Sequence, residues 1–98
     1  MTEREKEERL ARYNSAGYMC EVCGKPVMLG QGQIAHCIAD TKTNNAKYGY
    51  FFIQHRLNYR CVCSLECNQA CNIGFNEGEV LKLLADIVLY EMKKFQRE

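Results

Sequence analysis

The longest apolar pattern in the chain lies at its C-terminal end. Leu81, Leu84, Val88, Met92 and Phe95 form one stripe at helical spacing, and Val80, Leu83, Ile87 and Tyr90 form a second beside it. Asn76 and Glu79 stand three apart just before this run, in the manner of a capping box. The pattern predicts one long amphipathic helix over 77–98. Two adjacent stripes are more than a surface helix with one buried face needs. The favoured reading makes this helix the main core element, packed on the same domain. The sharper one makes it a dimer face as well, with a homodimer formed through it. The opposite end of the chain is polar. Residues 3–12 read as a charged helix opened by Thr2 and Glu5, again at capping-box spacing, within an N-terminal segment 1–17. Little of its surface is apolar, so it is expected to fray or to dock weakly.

Between these helices the pattern is broken into short pieces. Residues 18–30 hold a tight turn, C-E-V-C-G-K-P, with Gly24 free to adopt a left-handed backbone and Pro26 stiffening the exit. Q-I-A-H-C-I at 33–38 reads as a strand, and the polar residues 40–49 as a helical turn that Gly49 ends. Y-F-F-I at 50–53 fits strand or helix, and its periodicity does not separate them. Y-R-C-V-C at 59–63 reads as a second strand. Ser64 then caps a helix of about two turns that stops near Gly74. The expected architecture is a small α+β domain over 18–76 with a helix at either end.

Composition adds a constraint that the pattern alone lacks. In 98 residues there are seven cysteines, an odd number that disulfides alone would leave with a free thiol. The N-terminus is charged, without the apolar run of a leader, and no stretch reaches the roughly 18 apolar residues of a membrane span. The chain is therefore expected in a reducing cytoplasm, away from membranes, where a metal is the better staple for a small core. Net charge is only +1, which argues against strong nonspecific binding to nucleic acid. The charge is uneven, however. Residues 22–76 carry Lys25, Lys42, Lys47, Arg56 and Arg60 against Asp40 and Glu66 alone, while both flanks are slightly acidic. These five cations are the candidate contacts to a phosphate backbone.

The cysteines have ligand spacing. Cys20 and Cys23 form a C-x-x-C-G knuckle, a turn that aims two thiolates at one point. Cys63 and Cys67 form a C-S-L-E-C pair, one thiolate ending a strand and the other in the first turn of the helix that Ser64 caps. A knuckle joined to a strand-to-helix pair is the treble-clef arrangement, and four thiolates make a closed, structural Zn2+ site. Such a site would supply about 10 kcal/mol of folding free energy. Cys61 and Cys71 lie close enough in sequence to replace a member of the second pair. The expected set is Cys20, Cys23, Cys63 and Cys67, with Cys37, Cys61 and Cys71 as core residues.

Around these cysteines, A-H-C-I at 35–38, T-K-T-N at 41–44, K-Y-G at 47–49, H-R-L-N at 55–58 and C-S-L-E-C-N-Q-A-C-N-I-G at 63–74 follow in order. In sequence and spacing this resembles the HNH endonucleases of zinc-stabilised ββα-metal type, and especially small phage and prophage members. The resemblance covers about residues 20 to 76. It implies a DNA endonuclease or nickase, in a bacterial host if phage-encoded. His36 would be the general base, Asn58 the residue that ties the loop between the strands, and Asn68 a ligand of a catalytic divalent metal such as Mg2+, with His36 beside it. One position departs: many active members carry Asp or His before the base, and here it is Ala35. Asn68 is a neutral ligand, and Asn72 or His55 would add no anionic one. The alternative that this implies is a zinc-finger module that binds DNA or a protein partner with weak cleavage or none.

Overall fold

The computed structural model describes residues 1–28, 30 and 32–96, so the last two positions of the 77–98 segment lie outside it. Helix α1 (Glu3–Ser15) begins with a complete capping box. Thr2 Oγ1 accepts from the Glu5 amide at 3.1 Å, and the Thr2 amide donates to Glu5 Oε2 at 2.7 Å. The helix runs past residue 12 and does not dock weakly. Glu8, only 5% exposed, accepts from the amide, Nε and Nη2 of Arg56 at 3.0, 3.1 and 2.6 Å. Arg12 pairs with Glu21 on the knuckle. Counting apolar surface underestimated α1, because its anchor is an ion pair.

The sheet has two antiparallel strands, β1 (Gln33–His36) and β2 (Tyr59–Val62). Gln33 lies opposite Val62, and His36 lies opposite Tyr59. The long connection between them holds α2 (Lys42–Tyr48), a single turn α3 (Tyr50–Ile53) and a 3-10 turn (Arg56–Asn58). Thr41 caps α2, with its hydroxyl accepting from Asn44 N at 3.0 Å. Gly49 closes α2 at φ +93°, a backbone that an L side chain rarely adopts. Its carbonyl then accepts from Phe52 and Ile53, which settles Y-F-F-I as helical. Helix α4 (Leu65–Ala70) follows β2 directly, with Ser64 Oγ accepting from Cys67 N at 3.3 Å. Helix α5 (Glu77–Gln96) starts where Asn76 Oδ1 accepts from Glu79 N at 3.1 Å.

Two apolar clusters fill the interior. One lies under α5 and joins Val80, Leu83 and Ile87 to Cys37, Ile38 and Ile53. The other surrounds the cysteine knuckle and joins Cys20 and Val27 to Ala35, Cys61 and Val62. Helix α5 thus splits its two stripes. The Val80–Leu83–Ile87 stripe is core, whereas Leu81 (66% exposed), Val88, Met92 and Phe95 stay open, with Leu84 half-buried between them. Among the described residues no helix is long and apolar enough to cross a membrane.

Candidate metal centre and the histidine face

Cys20, Cys23, Cys63 and Cys67 meet, their sulfur atoms all within 4.8 Å of one another. The backbone explains the approach. The Cys20 amide donates to Lys25 O and the Gly24 amide to Cys20 O, which folds the knuckle, and Gly24 sits at φ +81°. Glu21 N donates to Cys61 O, which pins the knuckle to β2. The sulfurs of Cys23 and Cys63 are 3.4 Å apart and those of Cys63 and Cys67 are 3.9 Å apart. A tetrahedral ion about 2.3 Å from four thiolates sets sulfur separations near ~3.8 Å. These four residues can therefore hold a metal ion.

The electrostatics agree. Burial of Cys20 pushes its thiol up, but hydrogen bonds from the amides of Cys23, Val22 and Cys63 outweigh it and bring the group down to about 6. Cys63 is pushed up to about 12, first by its contact with the Cys23 sulfur and then by desolvation. The Cys20 thiolate is favoured while those of Cys63 and Cys67 are penalised, a conflict that a bound cation would resolve. The other three cysteines stay outside the group. Cys37 and Cys61 are buried in the two clusters, and Cys71 packs against the second with its thiol toward Cys67 O.

His36 ends β1 and is half-buried. Its Nε2 lies 3.2 Å from Gln54 Oε1, and its ring meets Tyr59 edge-on at 5.0 Å. Burial pushes the imidazole below its ordinary value of 6.5, against the opposing pull of Gln54 and Asp40, so it is neutral near pH 7. Asn58 is fully buried. Its Oδ1 accepts from Ile38 N at 2.8 Å, and its Nδ2 donates to Ile38 O at 3.1 Å and Ile53 O at 2.9 Å. Its carbonyl also accepts from Cys37 N. Asn58 thus fastens the exit of β1 to the entry of β2. Asn68, on α4, donates to Gln33 Oε1 at 3.1 Å.

His36 and Asn68 lie toward opposite faces of β1, and Asn58 is buried at the entry to β2. The Asn68 contact puts Gln33, and by strand alternation Ala35, on the face that α4 covers. His36 and Tyr59 lie on the other face, toward α1. Ala35 is 0% exposed, and its methyl offers no metal ligand at the position before the histidine. Asn72 accepts from Gly74 N within its own turn. His55 is buried, accepts from Leu57 N at Nδ1 and reaches Glu91 with Nε2 at 2.8 Å, which ties α5 to the 3-10 turn. Of the basic candidates, Arg56 is committed to Glu8, and Arg60 donates to Leu57 O and Tyr59 O. Lys25 and Lys42 are exposed, and Lys47, also exposed, lies over the Tyr48 ring.

Three residues that sequence reasoning passed over matter here. Glu21 accepts from Cys61 N at 2.6 Å and pairs with Arg12, linking knuckle, strand and α1. Gln54 is 2% exposed and touches His36, Tyr59 and Asp40; a polar residue closing the run Y-F-F-I was its only signal. Arg9 lies over the Tyr59 ring at 5.8 Å, with a buried Nε that has no hydrogen-bond partner, and its charge also disfavours protonation of His36. The fold and site define a small α+β domain with a two-stranded sheet and a cluster of four cysteines that could hold a metal ion. In comparisons with known proteins, the chain matches no family model, no curated protein and no solved structure.

Proposed function

We propose that the chain is a zinc-clamped ββα module of HNH type that hydrolyses phosphodiester bonds in DNA, with His36 as the general base. The observation that carries this reading is a neutral, half-buried histidine at the end of β1, its ring fixed by Gln54 and Tyr59. Asn58 fastens the loop beside it through three side-chain hydrogen bonds. Zn2+ suits the four thiolates and welds the knuckle to the start of α4, as in a treble clef, so the hairpin is held rigid. In the reaction a water oxygen attacks phosphorus and His36 takes the water proton. The bond from phosphorus to the leaving sugar oxygen breaks, and that oxygen is protonated from solvent. Arg9 is the cation that would meet the phosphate beside His36, because it lies over the Tyr59 ring that His36 meets edge-on.

A catalytic Mg2+ fits this donor set poorly. Asn68 is a neutral ligand already bonded to Gln33, and Ala35 supplies none. No step is therefore assigned to that ion. The same observation favours a second reading, a zinc module that binds DNA or a protein partner without cutting. Supercoiled plasmid incubated with the zinc-loaded chain and Mg2+, Mn2+ or Ni2+ separates the two. The nuclease reading expects nicked circles that disappear in His36→Ala. Equal background from wild type and variant overturns it, and a mobility shift with duplex or branched DNA then supports the second reading.

A further inference from the structure

We propose that Gln54 is the positioning residue for His36, holding it as the Nε2–H tautomer so that the bare Nδ1 is the nitrogen that takes the proton. The inference rests on His36 being the base, but its geometry stands apart from cleavage. Gln54 touches three groups: Asp40 Oδ2 at 3.0 Å, His36 Nε2 at 3.2 Å and the Tyr59 hydroxyl at 2.5 Å. An ionised carboxylate only accepts hydrogen bonds, so the amide nitrogen of Gln54 must be the end that faces Asp40. Asp40 is itself held, since Asn45 Nδ2 donates to its Oδ1 at 2.7 Å. The amide oxygen of Gln54 therefore faces Tyr59 and His36. An oxygen only accepts, so both neighbours must donate, and Nε2 carries the imidazole proton.

The other ring nitrogen is then free. Among the described residues nothing hydrogen-bonds to Nδ1 of His36. Among the described residues the buried side-chain atoms left without a partner are Arg4 Nε and Arg9 Nε, and Nδ1 of the half-buried His36 is not one of them. A nitrogen that is deprotonated and oriented is what base catalysis on a water molecule needs. The direction of the amide is set two contacts away, by a carboxylate at the start of the α2 connection. Asp40 thus governs the histidine without touching it.

The test reads the tautomer directly, by 15N NMR of histidine-labelled, zinc-loaded protein at pH 7.5, with His55→Gln used to assign the two rings. Wild type is expected in the Nε2–H form at His36. Asp40→Asn, at an exposed position, leaves the Gln54 amide free to turn, so a second population with the proton on Nδ1 is expected, with a loss of nicking of about twofold. Gln54→Leu removes the acceptor and is expected to lose ~10-fold or more of nicking, within the ~10²–10⁴-fold that a positioned base contributes. If Gln54→Leu does not fold, Asp40→Asn decides. An Nδ1–H form in wild type, or an unchanged spectrum in Asp40→Asn, overturns the proposal. The expected spectra without His36-dependent nicking overturn the nuclease reading alone and leave the tautomer assignment standing.

Discussion

Replacing Glu8 with glutamine keeps the shape of the side chain and removes its charge, in the one contact that most firmly holds α1 to the domain. In the native protein both carboxylate oxygens accept: Oε1 from the Arg56 amide at 3.0 Å, Oε2 from Nε at 3.1 Å and Nη2 at 2.6 Å. A glutamine has one oxygen and one NH2 group, so whichever way it turns, a donor faces a donor. The Glu8 side chain is 7% exposed and that of Arg56 is 30% exposed. Charge-assisted hydrogen bonds contribute about 1.5–3 kcal/mol each when buried. With the arginine partly solvated, the sum is discounted to about 2–3 kcal/mol. For a domain of this size, that corresponds to a fall in melting temperature of about 10–20 °C. The assay is equilibrium urea unfolding of the zinc-loaded chain, with exposed Glu7→Gln as control, expected within ~0.5 kcal/mol of wild type. Arg56→Met, alone and combined with Glu8→Gln, closes a double-mutant cycle, and the double variant should lose less than the sum of the single ones. The pH dependence has a fixed sign. Burial pushes the Glu8 carboxyl up, but the Arg56 hydrogen bonds outweigh it, so the folded value lies below the ordinary 4.5. This stabilisation is complete above about 4.5 and is lost as pH falls through the folded value. A shift under ~0.5 kcal/mol in Glu8→Gln, with a spectrum still showing α1, would refute the ion-pair account of how this helix docks.

Other expectations follow from the same contacts. Cys67→Ser should abolish stoichiometric zinc by atomic emission, and chelation of wild type should unfold it, because about 10 kcal/mol of zinc binding rivals the total stability of a domain this small. A chelated chain with unchanged circular dichroism would contradict the metal-centre reading. Asn58→Asp removes the donor to the carbonyls of Ile38 and Ile53 and buries a charge, so it should destabilise by about 3 kcal/mol or more in the same urea assay. Gly32→Ala would place a Cβ 2.1 Å from Val27 Cγ1 and 3.2 Å from Tyr13 Cε1, and this overpacking should destabilise by about 1–3 kcal/mol. Burial pushes both His36 and His55 below 6.5, so their Hε1 resonances should titrate with midpoints under that value. The sign follows: the unfolded chain protonates first, and this contribution to stability is lost as pH falls from about 6.5 through the folded values. A midpoint at or above 6.5 would refute the burial account.

The elements with local causes were legible in the sequence. Thr2 with Glu5, Ser64 and Asn76 each start a helix through a side chain acting on an amide three residues on, and Gly49 ends one by its backbone freedom; the Thr41 cap of α2 was not read. The four clustered cysteines were legible as well, because knuckle spacing and a strand-to-helix pair bring thiolates together through local geometry. Y-F-F-I was not legible, since four apolar residues carry no period. The docking of α1 was hidden too, because Glu8 and Arg56 lie 48 positions apart and no local pattern pairs them. Only the tertiary structure decided which stripe of α5 is buried, through the placement of Cys37, Ile38 and Ile53 beneath it. The alternation of β1 was readable, but which of its faces α4 would cover was not. That packing separates His36 from Asn68 and gives the histidine Gln54, Tyr59 and Asp40 as its surroundings. Local propensity and ligand spacing act over a few residues and survive in the sequence. Long-range polar pairings depend on how the pieces meet, and they appear only once the chain is folded.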